Sequence, residues 1–159
     1  MRLDAESLRD TILYEAGQQN DSTGGPPFRD FKTFNLNNQF YDVIDAIGPE
    51  FYRGNIYRLI IRCGRNRMLD AFDWPDPSAT APQRSSTTTP LQALSLMNHS
   101  FVLRMSDHFA NRVAKESGDD VPAQVERAVR LAWCRAPNAD ERSSLSEFAE
   151  QHGMPALCR

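Results

Sequence analysis

Apolar positions keep a helical rhythm at both ends of the chain and lose it in the middle. In LDAESLRDTILYEAGQQ, Ala5, Leu8, Ile12 and Ala16 fall on one helical face. Asp4 stands at a capping position, Leu3 and Leu8 hold the two staple positions, and Gly17 sits where a left-handed residue closes a helix. The spacing predicts a helix over 4–17. Beyond Pro90, Leu91, Leu94 and Met97 line one face of a short helix. Phe101, Val102, Met105, Phe109 and Val113 carry the spacing on to a stop at Gly118, with a break at Asn98 to Ser100. Pro122 lies in the first turn of a further helix whose inward face is Val125, Ala128, Val129, Ala132 and Trp133, and Pro137 ends it. Asn138 and Glu141 make an N-x-x-E start for a last helix that stops near Gly153.

Between these ends the rhythm loosens. QNDSTGGPP is turn-forming, and Phe28, Phe31, Phe34, Phe40, Tyr41, Phe51 and Tyr52 punctuate an asparagine-rich background, which reads as a surface loop pinned by buried rings. Gly24 and Gly25 precede two prolines and no G-K-[ST], so they do not form a phosphate loop. NIYRLIIRC, from Asn55 to Cys63, has the β-branched and aromatic content of a strand, a composition that a short buried helix shares; the strand is favoured. The prolines after Trp74 and Asp76 then bias both residues away from helical backbone. The expected fold is mainly α. About five helices pack on a loop-rich, aromatic-pinned middle with a short β segment, in one partial domain over 1–159: a helix over 4–17, a loop and strand region over 18–83 and a helical region over 90–153.

Composition narrows the partners. A chain of 159 residues can bury roughly two-thirds of its unfolded surface around one core. No apolar run approaches the roughly 20 residues of a membrane span. The 18 basic and 21 acidic residues are interspersed, which leaves no footprint for nucleic acid. The N-terminus lacks the basic and apolar regions of a signal peptide. Cys63, Cys134 and Cys158 are odd in number and far apart, with no C-x-x-C pair for zinc or redox work and no C-x-x-C-H for haem, so they read as free thiols.

The sequence also resembles a known family. YRGNIYRLIIR, LDAFDWPDPSATAPQR, TTTPLQALSLMNHSFV and VERAVRLAWCRAPNADE together are similar to the planctomycete cytochrome-associated C-terminal domain of unknown function. Phe72, Asp73, Pro75, Asp76, Arg84, Thr87, Thr89, Pro90, Leu91, Gln92, Ala93, Leu94 and Asn98 fall on its pattern, as do Leu131, Ala132, Arg135, Pro137 and Glu141 of the late helix pair. Trp74 stands where a small residue is usual, and Cys134 where glycine is frequent. The resemblance implies a parent that is multidomain and exported, to the periplasm or cell surface, of which this chain is a fragment. It also implies that haem, if any, belongs to a separate cytochrome domain, so no cofactor or metal is assigned to this chain.

Candidate chemistry is sparse. In RSSTTTPLQALSLMN, no G-x-S-x-G elbow accompanies the hydroxyl tract, whereas Thr89, Pro90 and Gln92 have the spacing of a capping box with proline at the first helical position. The family pattern suggests that Thr87 bonds into the F-D-x-P-D turn. Asp70, Asp73 and Asp76 miss the calcium-loop order and read as turn-closing residues, tied to Arg84 or Arg62. Asp73, Asp76 and Arg84 are nonetheless the catalytic candidates, two carboxylates being the equipment of a glycosidase. His99, His108 and His152 show no metal spacing and read as surface groups; Arg62, Arg65 and Arg67 form a small positive face. The function expected is a non-catalytic accessory or scaffold domain of an extracytoplasmic, cytochrome-associated protein, partnered by that protein's other domains. The alternatives are a carbohydrate-active hydrolase and a carbohydrate- or protein-binding module.

Overall fold

The structure, a computed structural model, describes residues 2–159. It is mainly α: seven helices among the described residues accompany a two-stranded sheet. Helix α1 spans Ala5–Glu15; Asp4 caps it by accepting the Ser7 N–H, and Gly17 follows it in a left-handed conformation (φ 66°). Ala5 and Ala16 are buried as the spacing requires, but the face is centred on Leu13, which is fully buried.

The β segment lies elsewhere than Asn55–Cys63. Strands β1 (Phe31–Asn35) and β2 (Gln39–Val43) form an antiparallel hairpin with Phe31 opposite Val43 and Asn35 opposite Gln39, inside the segment expected to be loop. The expected strand is instead a 3-10 turn at Asn55–Tyr57 followed by a single parallel bridge between Phe28 and Arg58. A ladder cannot extend there, because Phe28 is preceded by Pro26 and Pro27, which have no N–H to donate. Ile56 and Ile60, whose β-branching suggested a strand, are exposed.

Helix α2 (Arg67–Ala71) follows, capped by Asn66, and then α3 (Pro90–Asn98), whose start is the expected capping box: Gln92 Oε1 accepts the Thr89 N–H at 3.3 Å. Leu91, Leu94 and Met97 do share a face, but that face is exposed; the buried residue of α3 is Gln92, which donates to the Thr87 carbonyl. Helix α4 (Ser100–Ser117) is the central element, packed against α1, α3, α5 (Val121–Trp133) and α7 (Met154–Leu157), while α6 (Ala139–His152) packs on α5 and α7. Phe101, Val102, Met105, Phe109 and Val113 of α4 are buried together with Leu13, Tyr52 and Met68. Full burial of each such apolar side chain stabilises by about 1.5–3 kcal/mol. Val125 and Val129 of α5 form a separate cluster with Ala149; Ala132 and Trp133, at the end of α5, are exposed, contrary to the periodicity, while Leu131 beside them packs on the main cluster.

Side chains, more than backbone ladders, organise residues 18–60. The Arg53 guanidinium donates to the carbonyls of Ser22, Gly24 and Pro26 and lies 4.0 Å from the Tyr57 ring centroid. Arg9 donates to the carbonyls of Phe51 (2.6 Å) and Arg53 (3.1 Å) between the rings of Phe28 and Phe101. Of the expected pinning rings, Phe28 and Tyr52 are buried, whereas Phe34 and Phe40 stack on each other in the open.

Candidate functional site

The three candidates, Asp73 and Asp76 of the F-D-x-P-D turn and Arg84 beyond it, are not brought together as a catalytic set. Asp73 adopts a left-handed conformation (φ 63°), accepts the Thr87 N–H and hydroxyl, both at 2.7 Å, and lies 3.4 Å from Arg2. The two Thr87 hydrogen bonds hold its carboxyl below the usual range, with a smaller contribution from the Arg2 charge. Asp76 closes an Asx turn on Ser78, whose N–H and hydroxyl lower its pKa in the same way. Arg84, expected against these aspartates, makes a two-point pair with Glu6 instead, at 2.7 and 2.8 Å, and so staples the tract before α3 to α1. Asp70 pairs with Arg65, not with Arg62 or Arg84. The Thr87 hydroxyl does bond into the turn.

A different place gathers unlike side chains. A cavity of about 510 Å³ lies among the hairpin, the segment from Ile44 to Tyr52, the start of α2 and the start of α4. Its size falls in the range of about 300–1,000 Å³ typical of small-molecule sites. Phe28, Tyr41, Phe51, Tyr52 and Phe101 supply aromatic wall; Arg9, Asp30, Asp42, Asp45, Arg65 and Arg67 supply charge, and Asn66 and His99 neutral polar groups. Two ion pairs brace it. Asp30 meets Arg58 at 2.9 and 3.1 Å, with the Arg58 side chain only 5% exposed. Asp45 takes two bonds from Arg104, at 2.6 and 2.9 Å, and one from the Ser100 hydroxyl at 2.6 Å. Burial alone would raise the Asp45 pKa, but the bonds from Arg104 and Ser100 outweigh it and keep the carboxylate ionised. Asn66, also in the wall, uses its side-chain oxygen to cap α2.

His99, expected at the surface, is half-buried and caps α4 by accepting the Phe101 N–H at Nδ1, 3.2 Å away. Burial lowers its pKa and the Arg104 charge adds to this, against the pull of Asp45. At neutral pH the ring is therefore uncharged, with its proton on Nε2.

Ser100, His99 and Asp45 meet here, yet their bonding is not that of an activated nucleophile. The serine proton goes directly to a carboxylate whose basicity Arg104 suppresses, and the His99 nitrogen that could accept it already holds a backbone N–H. The arrangement positions polar groups; it does not generate a nucleophile. The thiols lie outside this site. Cys63 and Cys134 are exposed, and burial pushes Cys158 up to about 11. Among the described residues no cluster of three or more His, Cys, Asp or Glu is placed to hold a metal ion, and no helix is long and apolar enough to cross a membrane.

The sequence reading missed this cavity because its walls come from six separated stretches of chain. The one local signal was the arginine cluster: of Arg62, Arg65 and Arg67, the last two line the cavity.

Fold and site together define a mainly helical domain with a braced polar cavity. The chain belongs to the PSD1 family, a protein of unknown function (DUF1553), whose profile matches residues 1–149. Comparison with curated proteins and with solved structures gave no match.

Proposed function

We propose that this chain is a non-catalytic ligand-binding module of a larger, exported, planctomycete-type protein with cytochrome company, and that the cavity beside the α4 start is its ligand site. The carrying observation is that the fold engages four carboxylates that a hydrolase could have used, while the cavity keeps polar groups that it does not engage. Asp73 and Asp76 close turns and Asp30 and Asp45 are locked to arginines. Arg67, by contrast, lines the cavity and makes no hydrogen bond or ion pair among the described residues. The aromatic walls suit the C–H faces of a small polyhydroxylated molecule such as a saccharide unit. The exposed Phe34–Phe40 stack on the hairpin, centroids 5.6 Å apart, also favours a binding role over a purely internal scaffold.

The test is a glycan array probed with the chain and with Ala46→Trp, which fills the cavity, each checked for native circular dichroism. Binding by the parent sequence that Ala46→Trp abolishes is the expected result. Release of reducing sugar from the bound glycans would overturn the non-catalytic assignment, and binding indifferent to Ala46→Trp would remove the cavity from it.

A further inference from the structure

The uncommitted hydrogen-bonding groups of the cavity wall are donors. Arg67 has no partner among the described residues; Asn66 uses its oxygen on the Leu69 N–H and keeps its amide N–H groups; His99 accepts at Nδ1 and so carries its proton at Nε2. The acceptors that line the cavity are already engaged, Asp30 by Arg58 and Asp45 by Arg104 and Ser100. Asp42 also borders the cavity, but strand alternation puts its side chain on the outer face of the hairpin with Phe34 and Phe40. Behind the two engaged carboxylates, Arg58 Nη1 and Arg104 Nε are buried with no acceptor, which adds to the local excess of donors. The amino-terminal end of α4, opening at His99, contributes partial positive charge of the same sense.

We infer that the cavity takes an oxyanion, a carboxylate or sulfate carried on a small polyhydroxylated molecule, with Arg67 as its charge partner and Asn66 and His99 as neutral donors. This rests on the reading of the cavity as a ligand site. The charged lining does not oppose it. Arg9 is beside Asp10, Asp30 and Asp45 are neutralised by their arginines, and Arg65 is neutralised by Asp70, so Arg67 is the lining cation left without a counter-ion among the described residues. A guanidinium also matches the two oxygens of a carboxylate or sulfate through parallel N–H bonds, which a hydroxyl cannot offer.

Isothermal titration of the chain with glucose, glucuronate and inorganic sulfate at matched ionic strength tests this. Glucuronate or sulfate should bind about 10-fold or more tighter than glucose, as expected of hydrogen bonds to a charged group. Arg67→Gln should erase that difference while leaving the melting curve unchanged, since Arg67 is exposed and makes no hydrogen bond or ion pair among the described residues. The stronger of the two anions tells a carboxylate site from a sulfate site. Equal binding of glucose and both anions would overturn the oxyanion while leaving the ligand cavity in place. Anion binding untouched by Arg67→Gln would overturn it by locating the anion elsewhere. Binding of none of the three would overturn both readings.

Discussion

Cys134 ends α5 in the left-handed region, φ 53° and ψ 25°, where an L-residue costs about 1–2 kcal/mol relative to its preferred conformations. Glycine is frequent at this point in the family that the sequence resembles, and the backbone supplies the reason. Cys134→Gly should raise stability by about 0.5–1 kcal/mol, the relief of strain less the entropy gained by the unfolded chain, read from the urea midpoint. Asp73 is the other non-glycine residue with positive φ among the described residues, and its carboxylate is held there by Thr87. Asp73, a motif position that looked chemical, is thus a position of unusual backbone. The Thr87 contact was readable because two fixed side chains in a family pattern suggest a bond between them. The conformation of Asp73 was not, because aspartate is allowed in several regions and only its partner, 14 residues away, selects one.

At the level of elements, the junction between α5 and α6 accounts for the late signature of arginine, proline and glutamate. Asn138 accepts the Glu141 N–H at 2.8 Å, Glu141 accepts the Asn138 N–H at 2.9 Å, and Arg135 meets both Glu141 oxygens at 2.7 Å. The bond from Arg135 is the main cause, and that from Asn138 the second, of a Glu141 pKa lowered to about 2. A carboxylate whose folded pKa is depressed contributes stability above its unfolded pKa of 4.5 and loses it as the pH falls through about 2. Stability of the native chain should therefore decline over that interval, and Glu141→Gln should flatten this part of the profile; an unchanged slope in denaturant titrations across the window would contradict the assignment. This junction was legible because a capping box is local, contained in four residues. The strand expected over Asn55–Cys63 was not, because pairing needs a neighbour with free donors, and Pro26 and Pro27 precede the one available. The hairpin escaped notice for the opposite reason: its outer face carries Phe34 and Phe40 in the open, so alternation did not divide buried from exposed residues.

Across the whole molecule, burial is divided among three clusters, with α4 carrying much of the largest. Met105→Ala in α4 should cost about 2–5 kcal/mol, whereas Leu94→Ser on the exposed face of α3 should stay within about 0.5 kcal/mol; paired urea curves separate the two. A large loss at Leu94 would mean that α3 is turned the other way. Helical periodicity identified the face of α4 well, since one side of it is covered along its length, and that of α1 apart from its centre at Leu13. It failed for Leu91, Leu94 and Met97, which share a side that no other element covers, and for Trp133, which lies past the edge of its cluster. The cavity was the least legible feature, because no single segment contains enough of it to show a pattern. One consequence concerns the way Arg53 holds the turn from Ser22 to Pro26. It grips main-chain oxygens only, so the identities of the side chains there matter little, apart from Gly24 and Gly25, whose φ values of 74° and 76° favour glycine. The spacing of those oxygens matters a great deal. Related sequences should vary freely by substitution in this stretch yet keep its length, since a single inserted or deleted residue would move the carbonyls out of reach.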